Sequence, residues 1–298
     1  MILLKSRIIE KGNSVIIENI EDFIPKHIFE CGQCFRWNEE EDKSYTGIAY
    51  GKVINIRLEN NDLIIDNTNL EDFNSIWKNY FDLNRDYGKI KEELSTIDEI
   101  IKKSVDFGYG IRILKQEPWE MLISFIISAR NSIPNIKRTI EKISAKYGEE
   151  IEEYRGKKRY AFPKPEIIAG LEEEELRECG TSFRTKYIIS SAKKIVEEGS
   201  IDILKSVDTD EARAKLIEFS GVGPKVSDCI LLFGLEKIDV FPVDIWVQRV
   251  MDEFYTEGKY KNLEKIREYG LNLFGELSGI GQQYLFYYAR ENGIGKKK

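Results

Sequence analysis

The sequence predicts an α+β protein in which an N-terminal antiparallel β-sheet domain is followed by an all-helical region. Three observations carry this expectation. Apolar and polar residues alternate up to about Asp66, which is the period of a half-buried strand. From Leu70 onward the apolar residues recur at helical spacing. Within that second part, Phe219-Ser220-Gly221-Val222-Gly223-Pro224-Lys225 places a glycine turn between two amphipathic segments.

Taken in order, residues 3–9, 14–17, 45–50, 53–58 and 63–65 alternate as strands, with turn signals at Gly12-Asn13, Gly51-Lys52 and Asn60-Asn61. Helices are expected over 70–80, 90–105, 119–130, 133–147, 165–177, 185–198, 211–219, 224–235, 245–254, 263–274 and 282–291. No internal repeat is visible, and the lysine tail at 296–298 is the only low-complexity stretch.

The hairpin can be read from physics alone. Glycines at 221 and 223 tolerate positive φ and let another backbone approach, while Pro224 suits the first turn of the following helix. Free amides at such a helix start can cradle a phosphate. Lys225 falls in that first turn, where the positive end of the helix dipole disfavours an ammonium while an Asp244 carboxylate close by would favour it, and the free amine that a nucleophile requires depends on which effect wins. Cys229 lies four residues on and shares the lysine's side of the helix, with Val226, Ile230 and Phe233 on the inward stripe. Nineteen positions after Lys225, Asp244 follows Phe241-Pro242-Val243 and precedes a helical segment, as an N-cap and a candidate catalytic carboxylate. Alone, such a lysine is usually a solvated charge and such an aspartate a plain cap. Together they suggest chemistry on a sugar carbon beside a bound phosphate.

Gly-Val-Gly-Pro-Lys with Pro-Val-Asp at this distance resembles the helix–hairpin–helix DNA glycosylases. The resemblance narrows to the 8-oxoguanine DNA glycosylase family. It rests on Gly32-Gln33-Cys34-Phe35-Arg36-Trp37, the run from Gly110 to Glu120, Phe125-Ile126-Ile127-Ser128-Ala129-Arg130-Asn131, and Phe183-Arg184-Thr185-Lys186-Tyr187, and it spans about Ile9 to Arg290. It implies an N-terminal 8-oxoguanine glycosylase domain over 1–115, made of the sheet plus helices, and a helix–hairpin–helix glycosylase domain over 116–298.

The activity implied is that of a bifunctional DNA glycosylase and abasic-site lyase. It flips 8-oxoguanine out of duplex DNA, excises it through a lysine Schiff base and nicks by β-elimination. Lys225 and Asp244 take the catalytic roles. Gly32 offers its carbonyl to N7–H of the oxidised base, Phe286 stacks on the base with Cys229 opposite, Gln282 bonds its Watson–Crick edge, and Pro242 completes the pocket. Phe183 and Arg184 fill the vacated stack and meet the orphaned base, while Arg130, Asn131, Gly221, Gly223 and Trp246 contact DNA. The chain departs from the family at three of these positions. Phe183 stands where tyrosine is usual, and Trp246 replaces a phosphate-contacting histidine. Arg130 replaces an asparagine that helps recognise the opposite cytosine, and an arginine there can contact phosphate instead.

No organic cofactor is required by this route. The resemblance implies a structural cation on the backbone carbonyls of Ile217, Phe219 and Val222. The alternatives are a glycosylase for another damaged base and a noncatalytic helix–hairpin–helix DNA-binding protein, neither of which needs Lys225, Asp244 and the Gly32 element together.

Composition bounds the class. The net charge of −7 argues against a protein that coats DNA nonspecifically, though not against a local basic face. Four scattered cysteines offer no disulfide framework and no second pair to complete a metal site with Cys31 and Cys34. No apolar run approaches the roughly 18 residues of a membrane span, and charges soon follow Met1. The expectation is an intracellular, DNA-associated monomer without a signal peptide, cytoplasmic if prokaryotic, whose partner is double-stranded DNA containing oxidised guanine.

Overall fold

Six strands form one antiparallel sheet in the order β1-β2-β6-β5-β4-β3 in the computed structural model, which describes residues 6–295. They are β1 (Ile8–Lys11), β2 (Ser14–Ile17), β3 (Trp37–Glu39), β4 (Tyr45–Ala49), β5 (Lys52–Glu59) and β6 (Asp62–Asp66). The alternating pattern sets the register. Val15 pairs with Ile65, and Ile65 with Ile56, so the same face of neighbouring strands is apolar. Val15, Ile17, Ile54, Ile56, Leu63 and Ile65 are fully buried, each worth about 1.5–3 kcal/mol of transfer free energy. They pack in one cluster with Trp37, Phe73, Trp77 and Phe81.

The helical part begins at Leu70. Its central element, Pro118–Ser128, is buried nearly all round, as a helix apolar on every side must be. It packs against the helices Ile133–Tyr147, Thr185–Glu198 and Pro224–Phe233. Among the described residues no helix is long and apolar enough to cross a membrane.

Several expected elements are redrawn. The strand expected over 3–9 starts outside the described residues, as the lysine tail lies outside them, and the described part joins β1. The helix expected over 90–105 is two, Tyr87–Ser95 and Glu99–Phe107, because the Asp98 carboxylate caps a new start by accepting from the amides of Ile100 and Ile101 at 2.7 and 2.9 Å. The one expected over 165–177 is likewise two, Pro165–Ala169 and Glu173–Arg177, the second opened by a capping box between Glu172 and Glu175. The final helix starts earlier than expected, spanning Ser278–Glu291.

Among the elements not anticipated are the helix Pro25–Glu30, the strand β3, and a hairpin of β7 (Glu150–Tyr154) and β8 (Lys157–Tyr160). That hairpin reaches back from the helical part to the sheet. Glu152 accepts from Asn67 Nδ2 at 2.8 Å, and Arg155 pairs with Asp42 at 3.0 Å.

Candidate active site

The helix Thr209–Ile217, the glycine turn and the helix Pro224–Phe233 form the expected hairpin. The turn is held by Val222 N–H donating to the Phe219 carbonyl at 3.0 Å. Only Gly221 uses positive φ, at 85°, while Gly223 caps the second helix at a φ of −101° that any residue adopts. Gly221 lies directly against Tyr187, where an added Cβ would meet the tyrosine at 2.8–2.9 Å. Gly221→Ala should therefore destabilise the protein by about 1–3 kcal/mol through strain and overpacking. Thermal melting checks this, and an unchanged Tm would contradict it. Among the described residues the amides of Gly221, Gly223 and Lys225 bond no protein acceptor, which leaves donors for a phosphate at the turn and the helix start.

Lys225 and Asp244 line one cavity of about 80 Å³. Asp244 caps the helix Ile245–Met251, with Oδ1 accepting from Trp246 N and Val247 N at 2.9 and 2.8 Å, which fixes its carboxylate in place. Cys229, Pro242, Gln282, Phe286 and Gly32 line the same cavity, so every residue expected at the base pocket is brought together there. Lys225 Nζ lies 5.3 Å from the centre of the Phe125 ring, which forms part of the wall. A larger cavity of about 330 Å³ lies beyond Lys225, between Pro224, Val243, Leu263 and Arg267. It lacks an aromatic plane and Gly32, so the smaller cavity is the one equipped for a base.

The family model described as the 8-oxoguanine DNA glycosylase N-terminal domain matches residues 15–122, and the model of HhH-GPD superfamily base excision DNA repair proteins matches 123–275. The chain belongs to the 8-oxoguanine DNA glycosylase family. It is 34% identical to a probable N-glycosylase/DNA lyase of Methanothermobacter thermautotrophicus over 217 residues, 66% of this chain and 69% of that one. An N-glycosylase/DNA lyase of Saccharomyces cerevisiae is 39% identical over 53% of this chain and 46% of its own. The Clostridium acetobutylicum 8-oxoguanine glycosylase/lyase, solved with double-stranded DNA containing cytosine opposite 8-oxoguanine, superposes with a TM-score of 0.93. It shares 49% identity and is matched over 97% of this chain and 99% of its own.

Two positions where the chain departs from the family pattern have definite surroundings. The Trp246 indole packs edge-on against Phe286, with ring centres 4.9 Å apart and planes at 78°, so it buttresses the aromatic plane of the pocket. Arg130 is exposed, takes a left-handed φ of 53°, and its side chain bonds nothing among the described residues. Its backbone is held by Arg184, whose guanidinium donates to the carbonyls of Ala129 and Arg130 and lies 4.3 Å from the Phe183 ring centre. Arg184 is thus buried as a brace, while Phe183 beside it is 52% exposed. Asn131 donates from Nδ2 to the Ile127 carbonyl at 3.2 Å and caps its own loop.

Burial pushes the Cys229 thiol up to about 11, outweighing the opposing pull of the Lys225 amine. The thiol is therefore neutral at physiological pH and forms an apolar wall. Cys229→Ser should retain the nucleophilic chemistry of Lys225, and iodoacetamide at pH 8 should leave Cys229 unmodified in the folded protein by peptide mass mapping. Rapid alkylation would overturn this placement.

Sequence reasoning missed Phe125, Phe233, Val247, Gln283 and Cys31 as cavity walls. The first was within a quoted motif, Phe125 to Asn131, and the last adjoins Gly32. Nothing in the periodicity marks them as other than core.

Proposed function

We propose that this member of the family is a bifunctional DNA glycosylase/lyase that removes 8-oxoguanine from duplex DNA in base excision repair. The observation that carries the reading is that Lys225, Asp244, Gly32 and Phe286, drawn from four separate segments, line one cavity beside a hairpin whose Gly221, Gly223 and Lys225 amides bond no protein acceptor among the described residues. A base in a duplex cannot reach Lys225, so the nucleotide is everted. The hairpin amides of Gly221 and Gly223 hold a phosphate, the Phe183 ring fills the vacated stack, and Arg130 meets the opposite strand.

In the pocket the base stacks on Phe286, with Cys229 and Pro242 at its other walls and Gln282 on its Watson–Crick edge. The Gly32 carbonyl accepts from N7–H of the oxidised base. Unmodified guanine has a lone pair at N7, so the same carbonyl would face an acceptor and lose its bond. The free Lys225 amine forms a bond to C1′ as the C1′–N9 bond breaks and the base leaves with that electron pair. The Asp244 carboxylate stabilises positive charge developing on the sugar. Opening of the sugar ring gives an imine, which acidifies C2′; loss of a C2′ proton expels the 3′ phosphate and nicks the strand.

The hairpin suits a structural cation held by backbone oxygen. The carbonyls of Ile217 and Val222 accept no hydrogen bond among the described residues, and that of Phe219 accepts one. Such an all-oxygen set fits a hard cation, which would neutralise charge beside the DNA phosphate. The chemistry itself requires no cofactor. The protein works on DNA inside the cell, as a monomer.

Borohydride reduction of the wild-type protein with a duplex carrying 8-oxoguanine should trap a covalent protein–DNA adduct, seen as a band of reduced mobility. No adduct under conditions in which the base is released would remove the lysine mechanism.

A further inference from the structure

Residues 28–33 form a strap that presents Gly32, and among the described residues its carbonyls are tied by donors except that of Gly32. Gln33 Nε2 donates to the Ile28 carbonyl at 3.0 Å, and Cys34 Sγ lies 3.7 Å from that of Phe29. Arg290 donates from Nη2 to the Glu30 carbonyl. Gln283 Nε2 donates to the Cys31 carbonyl at 2.6 Å, and Gln116 Nε2 to that of Gln33 at 2.8 Å. Among the described residues nothing donates to the carbonyl of Gly32. The strap is bent there by a φ of 91°, a conformation natural to glycine alone.

Two of those donors come from the Ser278–Glu291 helix, which also carries Phe286 and Gln282 into the cavity. Gln283, Phe286 and Arg290 follow one another at i, i+3 and i+7 and so share a face. Gln283 is 3% exposed. The Arg290 guanidinium lies 5.6 Å from the Phe286 ring centre and about as far from Tyr287, while a Cβ placed on Gly32 would touch both Phe286 and Arg290 at 3.4–3.5 Å. One rigid helix thereby holds the recognition carbonyl and the stacking plane at a fixed separation.

We infer that Gln283 and Arg290 are positioning residues for base recognition: by tying the Cys31 and Glu30 carbonyls to the helix that bears Phe286, they leave the Gly32 carbonyl as the strap's one acceptor for the base and set its distance from the ring. This rests on the glycosylase/lyase reading above. Without the guanidinium donor, the Glu30 carbonyl becomes a second free acceptor and the Gly32 peptide is free to turn. Nicking at an abasic site needs Lys225 but no base, so it does not depend on the strap.

The test uses the whole protein with Arg290→Met, which keeps the apolar stem, Arg290→Lys, which keeps a donor, and Gln283→Leu, which keeps volume. Single-turnover release of 8-oxoguanine should fall about 10–100-fold in Arg290→Met and Gln283→Leu, the loss expected when a reacting group is displaced by an ångström or less. Nicking of the same duplex with a preformed abasic site should be unchanged in Arg290→Met, and Arg290→Lys should restore most of the base release. A parallel fall in both activities with a lowered Tm would show a merely structural role, and unchanged base release would also overturn the inference. Failure of the wild type to form a trapped adduct would instead overturn the reading on which it rests.

Discussion

Lys225→Gln is expected to abolish the borohydride-trapped adduct and to lower 8-oxoguanine release by about 10⁴-fold or more, the scale on which removal of an essential nucleophile acts. Glutamine approaches lysine in length and fills the same space beside Phe125, but its amide can neither attack C1′ nor form an imine. The fold should tolerate the change. Lys225 is only partly buried and forms no ion pair among the described residues, so the substitution strands no buried charge. Duplex binding should persist, since the hairpin amides are backbone groups that the substitution leaves in place. The measurement is single-turnover kinetics with trapping, alongside a melting curve. An adduct that survives in Lys225→Gln with native Tm would assign the chemistry to another amine.

Asp244→Asn is expected to slow base release by about 10²–10³-fold while DNA affinity and Tm stay close to wild type. The separation is possible because Asp244 does two things. One carboxylate oxygen caps the helix Ile245–Met251 through the amides of Trp246 and Val247, and an asparagine carbonyl oxygen accepts those bonds equally well. The negative charge facing the cavity is lost, and with it the stabilisation of the developing oxocarbenium character on the sugar. Asp244→Ala would confound the two by removing the cap as well, at a further cost of about 1 kcal/mol. Comparing the two variants in melting and in single-turnover release therefore isolates the charge. Unchanged release in Asp244→Asn would confine Asp244 to capping.

Much of the fold follows from local pattern. The strand β2 alternates in burial because one face meets the Trp37–Trp77 cluster, β5 and β6 are short, largely apolar runs buried continuously at their centres, and the helices Ile133–Tyr147, Thr185–Glu198 and Leu263–Phe274 show the period of one buried stripe. The hairpin β7–β8 was not legible. Its sequence, Glu-Ile-Glu-Glu-Tyr-Arg-Gly-Lys-Lys-Arg-Tyr, is nearly all polar, and its bonds to Asn67 and Asp42 come from partners far along the chain. The two divided helices had a continuous apolar period, yet Asp98 and Glu172 cap fresh starts within them, a local competition that periodicity does not weigh.

The amine at a helix start after Gly-Val-Gly-Pro and the carboxylate at the next N-cap were determined by sequence alone, because glycine φ, proline placement and capping act within about four residues. Their meeting in one cavity was decided only by the tertiary structure. So were the strap around Gly32, which crosses from the sheet to the last helix, and the work of Trp246 behind Phe286. Those contacts join residues up to 260 positions apart, and their free energy comes from packing and from satisfying buried carbonyls across the chain, a property that no window of sequence contains.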